Sequence, residues 1–293
     1  MQTSGYFSRR LTSLRSRRYS IDMVRRGDSS TGGAVLNAAE KGKSYNQGLW
    51  ERTRISKPTI VLKQSLNGGF IAGQSLRFAL RHSMECYCAT RIQAGHKVNE
   101  DAFLIEREPI PHAAVFDGAG NAEQAAHRAA RFFRAIIKDQ APKVGDLKAW
   151  AGWVRLMDSQ LMGGAQSTFV GVAVPDVDEG LVFGAYAGNS RVYIVGEDGV
   201  RLVTTESSLG RLGSGHAQGR TFSVQLRPYD ILLLMSDGAW VPFGSSYLLR
   251  KAVTLALARH FSEVPQAILD TAAPADGPAD DMTVVALRLR RLK

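Results

Sequence analysis

Four aspartates in this chain stand where apolar runs begin or end: Asp101 in VNEDAF (98–103), Asp117 in AAVFDG (113–118), Asp237 in ILLLMSDG (231–238), and Asp280, followed by Asp281, in ADDMTVVAL (279–287). An aspartate at the end of a buried strand is poorly solvated and needs a partner. Lys and Arg are absent from the immediate neighbourhood of the pairs Asp117-Gly118 and Asp237-Gly238. Carboxylates without local basic partners point to a cation. An all-oxygen donor set, with no Cys or His in the same motifs, suits a hard ion such as Mg²⁺ or Mn²⁺ better than Zn²⁺. The glycine after Asp117 and after Asp237 lets the backbone turn sharply and exposes a carbonyl as a further oxygen ligand. One Asp-Gly pair is an ordinary turn; four acids tied to strand ends form a pattern.

The elements that would position these acids are readable from periodicity. ECYCATRI (85–92) alternates as a strand, and HAAVFD (112–117) is a short buried run. From 121 to 138, apolar residues fall at 122, 125, 126, 129, 132, 133, 136 and 137, which is helical spacing with Asn121 as the expected N-cap. A second helix is expected over 147–162, then strands at 167–174, 181–188, 190–196 and 200–205, with a tight turn at 197–199. DILLLMSD (230–237) reads as a buried strand, 246–261 and 264–272 as helices, and 281–290 as a closing strand. Strands adjacent in sequence, with helices in pairs between them, predict an α+β fold with mainly antiparallel sheets.

VNEDAF, VFDGAG, GGAQSTFVGVAV (163–174), YAGNSRVYIV, DILLLMSDGAW and DDMTVVAL occur in this order, and together they resemble the metal-dependent serine/threonine protein phosphatases of type 2C, of the bacterial single-catalytic-domain kind. The likeness covers roughly residues 85–290. It implies two stacked antiparallel sheets flanked by helices, an α-β-β-α sandwich, with two divalent ions, Mn²⁺ or Mg²⁺, in a cleft at one edge. It implies that Asp117 bridges both metals and that the Gly118 carbonyl is a ligand. Asp237 and Asp280 would complete one metal's shell, while Asp101, and Glu100 as a further candidate, act through bound water. Asp281 stands where the family usually has Asn, so Asp280 is taken as the ligand. The implied reaction is hydrolysis of phosphoserine and phosphothreonine in proteins by a metal-bridging hydroxide attacking phosphorus in line.

A general acid is wanted for the leaving alkoxide, and His96 and His112 are candidates. Three departures from the family pattern stand out. His96, with Lys97 beside it, occupies the position of an arginine that grips substrate phosphate, and neither offers a guanidinium fork. GDSR reads Gly188-Asn189-Ser190-Arg191, which puts an additional metal of some members in doubt. The loop after Asp117-Gly118 reads Ala119-Gly120-Asn121. His96 and Asn189 motivate the alternative of a catalytically weak phosphatase-fold module that binds or regulates a phosphoprotein partner. The Gly- and Ser-rich stretch around 205–225 is the expected mobile, substrate-recognising flap.

The chain has 293 residues, 44% of them hydrophobic and 22% charged, which excludes disorder throughout. No apolar run approaches a membrane span, and no signal-peptide core follows Met1. The two cysteines, Cys86 and Cys88, are too few for a disulfide framework or a cysteine zinc site, and a reducing cytoplasmic setting is expected. The formal charge of +10 is uneven: residues 1–75 hold 13 Lys and Arg against 4 Asp and Glu, and residues 76–293 hold 24 against 23. Residues 1–57 therefore read as a basic Arg/Ser-rich extension, disordered by composition, with a targeting peptide, a nucleic-acid or membrane-surface arm, and a native start near Met84 as alternatives. Residues 58–83 form an ambiguous lead-in and 84–293 the catalytic domain. The expected partner is a phosphoprotein substrate of a serine/threonine kinase. No Walker-type loop or dinucleotide fingerprint is present.

Overall fold

The computed structural model describes residues 53–54, 82–119, 123–204 and 210–291. The remainder of the basic extension, the lead-in up to residue 81, the expected N-cap Asn121 and the flap's residues 205–209 lie outside the described residues. The strands are β1 (Thr53–Arg54), β2 (His82–Arg91), β3 (Ala102–Glu106), β4 (His112–Phe116), β5 (Gly118–Ala119), β6 (Gln166–Ser167), β7 (Phe169–Asp176), β8 (Leu181–Ala187), β9 (Arg191–Gly196), β10 (Gly199–Leu202), β11 (Arg220–Gln225), β12 (Ile231–Met235) and β13 (Met282–Arg291). The helices are α1 (Glu123–Gln140), α2 (Leu147–Leu161), α3 (Asp237–Trp240), α4 (Ser246–Leu257) and α5 (Val264–Ala272).

Every strand pair is antiparallel. One sheet has the order β1-β2-β13-β12-β9-β10, a second β11-β8-β7-β4-β3, and β5-β6 form a small ribbon. Strand alternation sorts the core into three apolar layers. In β4, Ala113 and Val115 face the other sheet and, with Val170 of the neighbouring β7, meet Leu234 and Val285 there. Ala114 and Phe116 face the opposite way, into Phe133 of α1 and Trp150 of α2. On the outer face of the first sheet, Val284 and Ala286 pack with Leu249, Val253, Ile268 and Leu269 of α4 and α5. The order of layers is helix, sheet, sheet, helix, as the resemblance implied.

The helices begin and end for local reasons. Asp146 caps α2, its carboxylate accepting from the Lys148 amide at 2.8 Å, an interaction worth about 1 kcal/mol. The helix expected over 246–261 stops at Leu257, because His260 is extended (φ −158°, ψ 146°) and its ring nitrogen accepts from the Ser262 amide to open a separate turn at Phe261–Glu263. The strand expected to reach Asp237 ends at Met235, and Asp237 is instead the first residue of α3. Strand β2 begins at His82, so Met84 lies inside it and is buried. Cys86 and Cys88 form no disulfide and are buried between the sheets, and burial pushes the Cys86 thiol up to about 12.

The second part of the expected flap is ordered. Arg220–Gln225 forms strand β11, paired with β8 over its whole length. Ahead of it, the buried Asp158 of α2 accepts the amides of Gly213 (2.7 Å), Gly215 and Ala217 (both 3.1 Å). Periodicity treats Asp158 as one polar residue on a helix and gives no sign of this. Asp158→Ala strands three amides whose acceptor was a charge, so a loss of about 2–4 kcal/mol in unfolding free energy is expected by denaturant titration.

Candidate active site

Register alone brings the acids together. In the second sheet Ala102 pairs with Phe116, so Asp101, just before β3, and Asp117, just after β4, emerge at the same end. In the first sheet Met235 pairs with Val284, so Asp237, past β12, and Asp280, ahead of β13, also emerge together. Across the sandwich the two pairs are close enough for the Asp237 carboxyl to meet that of Asp117. Burial raises the Asp117 carboxyl to about 9, helped by the charges of Asp101, Asp237 and Asp280. Burial raises Asp101 to about 7, against the pull of Thr283 and Ser236 and with the push of Asp281 and Asp280. Asp280 is raised by burial and by the Asp237 charge, with Glu100 contributing.

The backbone under these acids is tightly fastened. The Asp117 amide donates to Thr168 Oγ1 (3.3 Å), the Thr168 amide donates to the Asp117 carbonyl (2.8 Å), and Thr168 Oγ1 meets Ser190 Oγ at 2.6 Å. Thr168 precedes β7 and Ser190 precedes β9, so this chain of hydroxyls ties one sheet to the other beneath Asp117. Across β12 and β13, Ser236 Oγ accepts the Thr283 amide at 2.9 Å. Gly118 lies in the β5-β6 ribbon opposite Ser167, and its amide donates to the Glu100 carbonyl at 3.3 Å.

The adjacent acids 280 and 281 have different duties. Asp281 is 4% exposed, and its carboxylate accepts the amides of Gln93 (2.6 Å) and Glu100 (2.5 Å). Asp280 keeps contact with solvent; its Oδ1 accepts the Asp281 amide, and the group faces Asp237. Asn189, the residue that departs from the GDSR pattern, donates from Nδ2 to Asp237 Oδ2 at 2.7 Å. Its own carbonyl accepts Trp240 Nε1 at 3.1 Å, and the Arg191 guanidinium lies 3.3 Å from the centre of the Trp240 ring. Asn189 is thereby a neutral donor that fixes one oxygen of Asp237.

Glycine 238 is needed for a reason other than a sharp turn. Its backbone is ordinary helix, but a Cβ there would sit 2.1 Å from the Asp281 carbonyl oxygen and 3.1 Å from the Asp280 Cβ. The start of α3 is therefore pressed against the segment that carries Asp280. Gly238→Ala forces the two apart, and a fall of about tenfold or more in divalent-metal affinity is expected by titration calorimetry, the scale on which disturbed support of metal ligands acts.

The two histidines fare differently. His96 and Lys97 lie on an exposed turn, where the His96 amide donates to the Gln93 carbonyl at 3.1 Å. His112 is not at the site. It opens β4, five residues from Asp117, or roughly 16 Å along a strand. It is 1% exposed, bonds the Ile110 carbonyl through Nδ1 at 2.7 Å, and packs edge-on against Phe133. Burial holds its pKa below the ordinary value.

Among the described residues, no group of three or more His, Cys, Asp or Glu side chains is already arranged to hold a metal ion. The donor set nonetheless fits one. Asp101 Oδ2 and Asp117 Oδ2 are buried without a hydrogen-bond partner, and like charges crowd both. Magnesium-type sites typically use one or two carboxylates and keep several waters.

Solved structures similar to this one include bacterial serine/threonine phosphatases. The chain is similar to the catalytic domain of serine threonine protein phosphatase PstP in complex with 2 manganese ions (TM-score 0.59, 18% identity, covering 71% of this chain and 99% of that one). It is similar to the phosphatase MsPP from Mycobacterium smegmatis in complex with cacodylate (TM-score 0.58, 20% identity, 70% and 97%). It is also similar to the phosphatase domain, with a fragment of the regulatory domain, of the cell fate determinant SpoIIE from Bacillus subtilis (TM-score 0.58, 18% identity, 72% and 64%). By sequence, the model of the stage II sporulation protein E (SpoIIE) family matches residues 112–290, and the chain belongs to that family. No protein of curated function matches it. Among the described residues, no helix is long and apolar enough to cross a membrane.

Proposed function

We propose that the chain hydrolyses phosphoserine and phosphothreonine in a protein substrate, using two divalent ions held by the acids at the shared end of the sheets. The observation that carries this is the pair of buried, unpartnered oxygens, Asp101 Oδ2 and Asp117 Oδ2, facing further carboxylates. An isolated buried carboxylate oxygen is costly, and a cation removes the cost. Asp117, the Gly118 carbonyl, Asp237 and Asp280 would hold the ions directly, with Asp101 and Glu100 acting through water. A pair of bound Mn²⁺ or Mg²⁺ ions supplies a water acidic enough near neutral pH to attack phosphorus in line.

The rest is the work of the chain itself. The Thr168–Ser190 link and the Asp281 carboxylate hold the backbones of residues 117, 93 and 100 in place. Asn189 leaves Asp237 one oxygen free to act. His96 and Lys97, on the turn that follows Gln93, are the residues proposed to meet the substrate phosphate, with His96 passing a proton to the leaving oxygen. The test is phosphate release from a phosphothreonine peptide by the full chain with Mn²⁺, with Mg²⁺ and with EDTA. Metal-dependent release that EDTA abolishes is expected. A folded sample inert with both metals would favour the rival reading of a catalytically weak phosphoprotein-binding module.

A further inference from the structure

A cavity of about 540 Å³ opens directly beside Asp237 and Asp280, which form part of its wall. The rest of that wall is apolar and stiff: Val241 and Pro242 after α3, Pro274 and Pro278 after α5, and Met282 at the head of β13. A volume of this size lies in the range of small-ligand pockets and leaves ample room for one side chain. Three of these residues are prolines, whose fixed φ keeps the wall preformed. Val241 is 57% exposed, so its apolar side chain contributes little to the core.

We infer that this cavity is a specificity subsite that receives an apolar side chain of the substrate, one or two residues from the phosphorylated serine or threonine. This rests on the proposed phosphatase reading and names the substrate class for that site. Continuity is the first argument. An extended chain advances about 3.3 Å per residue, so a peptide whose phosphate is held at Asp237 and Asp280 must lay a neighbouring residue over the cavity mouth. Polarity is the second. The two carboxylates in its lining are the acids proposed to hold the ions, and none of the described lining residues is Lys or Arg. An acidic neighbour of the phosphoresidue would find no basic partner, and a polar one would lose its hydrogen bonds to water without replacement. A Leu, Ile, Met or Phe side chain meets neither penalty and gains from leaving water.

The experiment uses the full chain and a peptide series in which phosphoserine is replaced by its non-hydrolysable phosphonate analogue in a Gly-rich background. A single Leu, or a single Asp, is placed at each of the two positions on either side. Binding is read by fluorescence anisotropy with Mn²⁺ present, for the wild type and for Val241→Asp. In parallel, turnover of the all-Gly phosphoserine peptide reports separately on whether the chain is a phosphatase. At one position, Leu is expected to tighten binding by about tenfold or more over Gly, the discrimination an apolar pocket delivers, and Asp there is expected to weaken it. Val241→Asp is expected to erase the Leu preference. Equal binding of Leu and Gly peptides at every position would overturn the subsite, whether or not the all-Gly peptide is hydrolysed. A Leu preference that survives Val241→Asp would overturn it too. So would a variant that alters only self-association by sedimentation, which would place a second copy in the cavity.

Discussion

Asp117→Asn is expected to lower metal-dependent phosphate release by about 10³ or more, the scale on which loss of a preorganised electrostatic group acts, while leaving the fold intact. The carboxylate is buried among like charges, and burial first, then Asp101, Asp237 and Asp280, raises its pKa. Asn keeps the shape and removes the charge, so the variant loses the anion that a cation needs and relieves repulsion when no cation is present. The same reasoning gives a pH dependence. The Asp117 carboxyl is raised to about 9 and Asp101 to about 7, against ordinary values of 3.8 in the unfolded chain. Between these limits the folded state binds more protons than the unfolded state, so stability falls as pH rises. The contribution is intact below about pH 4 and lost as pH climbs through 7 and on to 9. In EDTA the wild-type melting temperature is therefore expected to fall between pH 6 and pH 9, and Asp117→Asn to flatten that fall. Added Mn²⁺ should restore the wild type at pH 9 and do little for the variant. A wild-type melting temperature independent of pH in EDTA would contradict this.

The second large effect separates neighbouring acids. Asp280→Asn is expected to reduce metal-dependent turnover by about 10² or more without lowering the melting temperature. Asp281→Asn is expected to behave the other way. Its carboxylate receives two backbone amides from the segment carrying the NED motif, those of Gln93 and Glu100. An asparagine has one acceptor oxygen, so one amide loses its partner, at about 1–3 kcal/mol, while the ligand beside it remains. Thermal melts and initial rates on both variants decide the matter. Loss of activity without loss of stability in Asp281→Asn would mean that the roles are reversed.

Much of this site was readable before any coordinates, because its acids sit next to strongly apolar runs. β4, β12 and β13 are buried along nearly their whole length, and a run such as ILLLM has no other stable place. Helices α2 and α5 followed their apolar spacing closely. Weakly patterned elements were missed. β11 is an edge strand with one buried residue among its six, and the alternation of TFSVQ rests on only two apolar residues, Phe222 and Val224, too few to announce it. β3 was seen only as part of a motif, since Glu106 ends it and the run is short.

Contacts between distant segments were out of reach in a different way. The need for Gly238 comes from a carbonyl more than forty positions away. The partnership of Asn189 with Asp237 depends on β9 lying beside β12. Nothing local distinguishes Asp158 from any other helix aspartate. His112 was placed near the acids by sequence distance, but an extended strand carries it to the far end of the sheet.

The account rests on carboxylates that hold divalent ions, and titration calorimetry of Mn²⁺ into EDTA-stripped, dialysed full-length protein tests this most directly. Two ions bound per wild-type chain, with binding lost or greatly weakened in Asp117→Asn, is the predicted result. A folded wild-type chain that binds no Mn²⁺, or one that binds it equally well after Asp117→Asn, would contradict the metal centre on which the proposed function depends.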